Sequence, residues 1–165
     1  MWGVIKLFFT FILATVLHWA FATAFANIGI QVNLMLVFAL AACALLKPAY
    51  GYALAFLCGL FLDFFGTKLF GSNAFTFCAL ACVVYAICES FDFESILPQM
   101  LTVFVFSLAA VLMGTLLVRI FAGASVWLGW WSWLGGSMMN ALLAPVVFWL
   151  LGKIFSKGFI SKEAL

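Results

Sequence analysis

The chain has almost no charge. Only 7% of its 165 residues are Asp, Glu, Lys or Arg, against about 25% in a soluble domain. The net charge is +2, with no clustered basic face of the kind that nucleic-acid binding requires. Histidine occurs once and proline three times. The five cysteines, Cys43, Cys58, Cys78, Cys82 and Cys88, form no CxxC pair, so a metal cluster has almost no ligands to draw on. They read as small apolar packing residues. Acid is missing from every long apolar run except at Asp63.

The sequence is instead rich in long apolar runs, with 69% hydrophobic residues and a mean hydropathy of +1.33. Runs such as LMLVFALAACALL do not alternate, which excludes a transmembrane β-barrel. Helices are then the structures that can leave no backbone group unpaired in lipid. A bilayer core about 30 Å thick takes about 20 apolar residues per helix, so this length holds at most about six helices and no separate soluble domain. The expected architecture is one all-α polytopic membrane domain over residues 1–165, with six transmembrane helices at about 3–25, 32–46, 50–65, 73–89, 98–121 and 133–155.

Ala22, Ala24 and Ala26 end the first run in a small-x-small pattern like that of a signal-peptidase site. The apolar stretch before them exceeds the roughly 7–15 residues of a signal core, so an uncleaved first helix is expected. His18 shares a side with Ala14, Ala22 and Ala26, a small-residue stripe suited to helix packing. A hydrogen bond from His18 to a neighbouring helix is the simplest use of the imidazole, ahead of proton transfer or ligand binding. The second run, Leu34 to Leu46, is short for a span and stops at Lys47-Pro48, where proline disfavours continuation. It spans only if Val32 and Asn33 contribute or the membrane thins.

In the third run Gly51, Ala55, Gly59 and Asp63 recur every four residues and share a face. A carboxylate at membrane depth costs on the order of 3 kcal/mol unless it meets protein or water, so Asp63 is expected at a protein seam or cavity. It is expected to accept hydrogen bonds at the start of the fourth helix, near Asn73, beyond a turn containing Gly66 and Gly71. Ala74, Cys78, Cys82 and Ala86 form another small stripe, which predicts a tight hairpin of the third and fourth helices. An acidic connection, Glu89, Asp92 and Glu94, follows. Ser107, Thr115 and Arg119 lie along one side of the fifth run. Trp127, Trp130, Trp131 and Trp133 are expected to form an interfacial belt. In the last helix Gly136, Asn140 and Ala144 share a face, and Pro145 is expected to bend it.

Catalysis has little to work with: the buried candidates are His18, Asp63 and Arg119 on different helices, with no nucleophile–base pair or paired carboxylates. Transport would use an intramembrane carboxylate and histidine, but there is no obvious inverted repeat. A structural membrane subunit is the alternative reading of the same residues.

The stretch from Val32 to Ile87, with Asn33, Gly51, Gly59, Leu60, Asp63, Gly66 and Gly71 close to a G-x(6,7)-GLxxD pattern followed by glycines, resembles the rod shape-determining MreD family. The last helix, with Asn140 and Pro145 before a basic tail, is similar to that family's as well. The resemblance implies a non-enzymatic inner-membrane scaffold of the bacterial cell-elongation machinery, without a cofactor. The implied direct partner is an MreC-like protein, with MreB, RodA and a class B penicillin-binding protein as indirect partners in lateral peptidoglycan synthesis. It implies a partner surface supported by Asp63, Gly59, Gly66, Gly71, Asn73, Asn33, Asn140 and Pro145. It also implies a fold similar to the substrate-binding subunits of energy-coupling-factor transporters. The alternative is therefore a vitamin-binding subunit, with Ala20 and Ala24, or Ala22 and Ala26, facing a coupling subunit and a cavity lined by His18, Asp63, Asn140 or Arg119.

Basic residues set the orientation. Six spans with a cytoplasmic start put Lys6, Lys47, Lys153, Lys157 and Lys162 inside and only Lys68 and Arg119 outside. A reporter fused after Leu165 is expected to be active only on the cytoplasmic side; activity confined to the periplasm would overturn this topology.

Overall fold

The computed structural model describes residues 2–66, 69–88, 95–123 and 129–155. Trp127, the acidic connection Glu89 to Glu94, and Lys68, Lys157 and Lys162 lie outside them. The described residues form six helices: α1 Trp2–Ala26, α2 Leu34–Leu45, α3 Pro48–Phe65, α4 Ser72–Cys88, α5 Ile96–Ala122 and α6 Trp130–Ile154. Four of them, α1, α3, α5 and α6, are long and apolar enough to cross a membrane.

The short helix α2 is the centre. Its 12 residues give about 18 Å at 1.5 Å per residue, well short of a bilayer core. Every residue from Leu34 to Cys43 is buried, and α2 packs against all the other helices. A helix wrapped by protein on every side has no lipid to match, so neither thinning of the membrane nor extension through Val32 and Asn33 is needed. Asn33 is instead the N-cap. At the other end Leu46 closes the helix through its N–H to Ala42, and Pro48 opens α3 in its first turn, where its missing N–H costs nothing.

The face of α3 with Gly51, Ala55, Gly59 and Asp63 is buried along its length, and α3 and α4 pair as a hairpin. At Gly51 an added Cβ would overlap the Tyr85 hydroxyl of α4 and stand 3.1 Å from Cys43 Cα of α2. Tyr85 uses the space this glycine leaves, and its Oη donates to the Leu46 carbonyl at 3.3 Å. The expected stripe of α4 lies on this seam in part: Ala74 is buried against Gly59, and Cys82, though exposed, accepts from the Tyr52 hydroxyl of α3 at 3.3 Å, while Ala86 is exposed. Phe77, Leu80, Ala81 and Val84 of α4 are buried in the common core.

α5 and α6 pack together and against α2. α6 continues as helix through Pro145. Trp130 and Trp131 are exposed at its start, as an interfacial belt requires, but Trp133 is buried; it shares a face with the buried Gly136, Ser137 and Asn140. α1 is peripheral. Thr10 and Ala14 are fully buried on it, Phe11 meets Phe61 edge-on at 5.8 Å, and Trp19 meets Phe65 at the same distance. Val4, Ile5, Phe8, Phe9, Ile12 and Val16 face outward, the side that lipid would wet.

Gly51→Ala is expected to lower the thermal midpoint of the purified protein, and adding Tyr85→Phe should recover part of the loss, because the phenolic oxygen is the atom overlapped. A thermal melt of both single variants and the double in one detergent measures the coupling. Strictly additive losses would refute the contact.

Candidate functional site

The site begins with an accounting problem. The first four N–H groups of a helix have no partner within it, and at the start of α4 Ser72 and Ala74 are buried. Each is satisfied. Ser72 donates to the Leu69 carbonyl at 3.2 Å and Phe75 to that of Gly71 at 2.9 Å. The two between them go to one carboxylate from the neighbouring helix: Asn73 N–H to Asp63 Oδ1 at 3.0 Å and Ala74 N–H to Oδ2 at 2.9 Å. The Asn73 side-chain amide adds a third bond to Oδ1 at 3.0 Å. Asp63 is 5% exposed. It therefore acts as an N-cap supplied from another helix, with its negative charge at the positive end of the α4 dipole.

Gly59 makes this reach possible. A Cβ there would lie 2.6 Å from Ala74 Cα and 2.7 Å from both Ala74 N and Asn73 O, so the two backbones touch one turn before Asp63. The turn ends on Gly71, the residue before α4, at φ +88°, a conformation that disfavours any side chain. Gly66 ends α3 in an extended conformation, and an added Cβ would lie 2.9 Å from the Leu62 carbonyl.

A second cap closes α2. Asn33 Oδ1 accepts from Leu36 N–H at 3.1 Å, while Asn33 N–H donates to Asn140 Oδ1 of α6 at 2.9 Å. Asn140 Nδ2 in turn donates to Ser107 Oγ of α5 at 3.2 Å. Three helices are thereby tied through two buried polar side chains, Asn140 (3% exposed) and Ser107 (2% exposed). Gly136, one turn before Asn140, lets the α1–α2 connection lie on α6: a Cβ would come within 2.5 Å of the Gln31 carbonyl oxygen. Between the two capped N-termini lies a polar recess of about 130 Å³, walled by α5 and α6 and lined in part by Asn33, Asn73, Ser107 and Asn140.

The residues expected to share one cavity are separate. Asn140 lines this recess, whereas His18 lines another with Ala22 and the connection Gly29 to Asn33. The Nδ1 of His18 is buried and meets no acceptor or donor, so the expected interhelical hydrogen bond from that atom is absent. Arg119 is exposed in the last turn of α5, where the dipole favours a cation, and Asp63 is committed to α4. The helix geometry separates them because each lies on a different face or level. Pro145 is deeper in α6 and lines an apolar groove with Leu45 and Trp149. Among the described residues no three His, Cys, Asp or Glu side chains come together to hold a metal.

A polar cap between helices, two short helices ending at one recess, and a hairpin closed at a glycine form a structural arrangement rather than a reactive one. Compared with models of known families, residues 2–154 match the rod shape-determining protein MreD. The chain belongs to the MreD family. No curated protein and no solved structure matches it. Membership of MreD gives a role in rod shape determination, and MreD is a structural component and not a known enzyme family. The matched region includes Asp63, Gly59, Asn33 and Asn140. Sequence reasoning placed Asn33 and Asn140 in separate segments without pairing them, and left Ser107 and Tyr85 without partners. Two asparagines in apolar runs are themselves a signal, since polar side chains in membrane helices seek each other.

Asp63→Ala leaves two backbone N–H groups without their acceptor, at about 1–3 kcal/mol each. It is expected to lower the thermal midpoint clearly, with Gly59→Ala comparable and Asp63→Asn intermediate, since an amide retains one acceptor oxygen. Tryptophan fluorescence melts in detergent would show this ranking; an unchanged midpoint for Asp63→Ala would refute the cap.

Proposed function

We propose that this chain is a non-enzymatic scaffold subunit of the bacterial cell-elongation machinery, seated in the inner membrane with both termini cytoplasmic. In this reading it binds an MreC-like membrane protein directly. It supports lateral peptidoglycan synthesis through that partner, together with MreB, RodA and a class B penicillin-binding protein. The observation that carries the reading is the Asp63 cap. It joins the ends of α3 and α4 with three hydrogen bonds and so gives a rigid, non-reactive end to a hairpin, which suits a docking surface better than a transport path. The preformed end would bind with little ordering cost.

The vitamin-transporter reading gains no support. Its expected ligands, His18, Asp63, Asn140 and Arg119, do not converge. The recess at Asn140, at about 130 Å³, is smaller than the roughly 300–1,000 Å³ of sites for drug-sized ligands, and the hollow at His18, about 430 Å³, is lined by none of the other three.

Crosslinked pull-down from membranes tests the proposal. The wild-type chain is expected to recover an MreC-like partner, and Asp63→Ala to reduce that recovery and rod shape together. Normal folding, complex yield and cell shape in the Asp63→Ala strain would sink the idea.

A further inference from the structure

The apolar groove at Pro145 has no part in the scaffold reading. It holds about 730 Å³ between the end of α2, the start of α5 and the second half of α6. Among the described residues lining it only Gln99 is polar, and none is charged. Ile96, Val146 and Trp149 are exposed while Phe148 is buried, so the groove is open on the side that lipid would wet. Such a lining offers water too few polar partners to hold it and takes hydrocarbon instead.

Two kinds of hydrocarbon suit it, a lipid tail or an apolar helix of another protein, and the length of the groove separates them. Its α6 wall runs from Pro145 to Trp149, with Lys153 one turn beyond. From Pro145 to Lys153 is about 12 Å at 1.5 Å per residue. That is within one leaflet, half of a hydrocarbon core about 30 Å thick. A crossing helix needs a seat that continues through the other half, and no α6 residue before Pro145 lines the groove.

One end of the groove carries a cation. Lys153, exposed in the last turn of α6, holds its ammonium 4.0 Å from the centroid of the Trp149 ring, which is itself a wall. An ammonium on an indole face keeps its charge for a further partner. Asn33 before α2 meets Asn140, and Leu45 at the other end of α2 shares the groove with Trp149. The two helices therefore run side by side, and Lys47, just beyond α2, lies toward the same end as Lys153. A cation at a helix end, beside an apolar groove one leaflet deep, is complementary to a lipid of net negative charge. We propose that the groove seats one anionic phospholipid, with a tail against Leu45 and Phe148 and the phosphate at Lys153. The site is apart from the Asp63 cap and does not rest on the scaffold reading.

The full-length protein is placed in nanodiscs of equal phosphatidylglycerol and phosphatidylethanolamine with the same chains, and retained lipid is counted by native mass spectrometry. Phosphatidylglycerol is expected to be retained over phosphatidylethanolamine by about fivefold, the worth of one lysine near a charged headgroup. Lys153→Gln should bring the ratio near one and Lys153→Arg should keep it, both with an unchanged melting point. Val146→Trp, at an exposed position of the groove, should lower the count by one lipid per chain. Equal retention of both lipids by the wild type means that Lys153 is neutralised by the chain's own acids or by solvent ions, and overturns the proposal. A preference that survives Lys153→Gln places the anionic lipid elsewhere and overturns it equally. A photocrosslinking residue at position 146, activated in native membranes, reads the occupant directly. Adducts of lipid mass are expected; a protein adduct, whether a second copy or another chain, assigns the groove to a helix and overturns the lipid.

Discussion

The structure depends on one carboxylate answering for another helix's backbone. Where α4 begins, two N–H groups would otherwise lack an acceptor, and Asp63 accepts both. The arrangement works only because Gly59 lets the α3 and α4 backbones touch one turn earlier, which brings the side chain within reach. Removing either residue therefore disturbs the same seam. An aspartate that looks like an energetic liability in a membrane helix is, in place, the group that makes the start of the next helix affordable in the same environment.

The same requirement explains the central position of α2. A helix of about 18 Å cannot carry its ends to both membrane surfaces, so at least one end must be satisfied by protein. Its C-terminus is closed by Leu46 N–H to Ala42 and by Tyr85 donating to the Leu46 carbonyl. Its N-terminus is closed by Asn33, which is held in turn by Asn140 and Ser107. Small residues such as Ala39, Ala41 and Ala42, all buried, let the surrounding helices approach closely, the usual basis of packing where lipid removes the hydrophobic drive. The recess above α2 is what remains when longer helices, α5 and α6, continue past the point where the short ones stop.

Much of this was legible in advance because the period of an α-helix places Gly51, Ala55, Gly59 and Asp63 on one line, and a charge on that line must find protein. Burial of that face and the contact of Asp63 with Asn73 both follow from it. The small residues of α4 are legible in part: Ala74 meets Gly59 and Cys82 meets Tyr52 across the hairpin, while Ala86 is exposed. Periodicity alone does not say how far along a helix such a stripe stays in contact. His18 and Arg119 were grouped by polarity, yet polarity says nothing of level along the bundle, and three-dimensional placement separates them. The link from Asn33 to Asn140 spans 107 residues, beyond any local pattern.

The two caps differ in chemistry, and their positions along their own helices differ with it. Counted along its own helix, Asp63 is two residues from the end of α3 at Phe65, about 3 Å. Asn140 is ten residues into α6 from Trp130, about 15 Å from the exposed tryptophans at its start. A carboxylate near a helix end can draw on the polar edge of a bilayer, while the same charge about 12 Å further along a helix has less of that edge to draw on, at a cost that rises toward the midplane. Amides and hydroxyls are the groups that cap a helix there without a charge to bury. The chain thus uses aspartate two residues from the end of α3, and asparagine and serine well inside α6 and α5. That division leaves the recess between them polar yet uncharged.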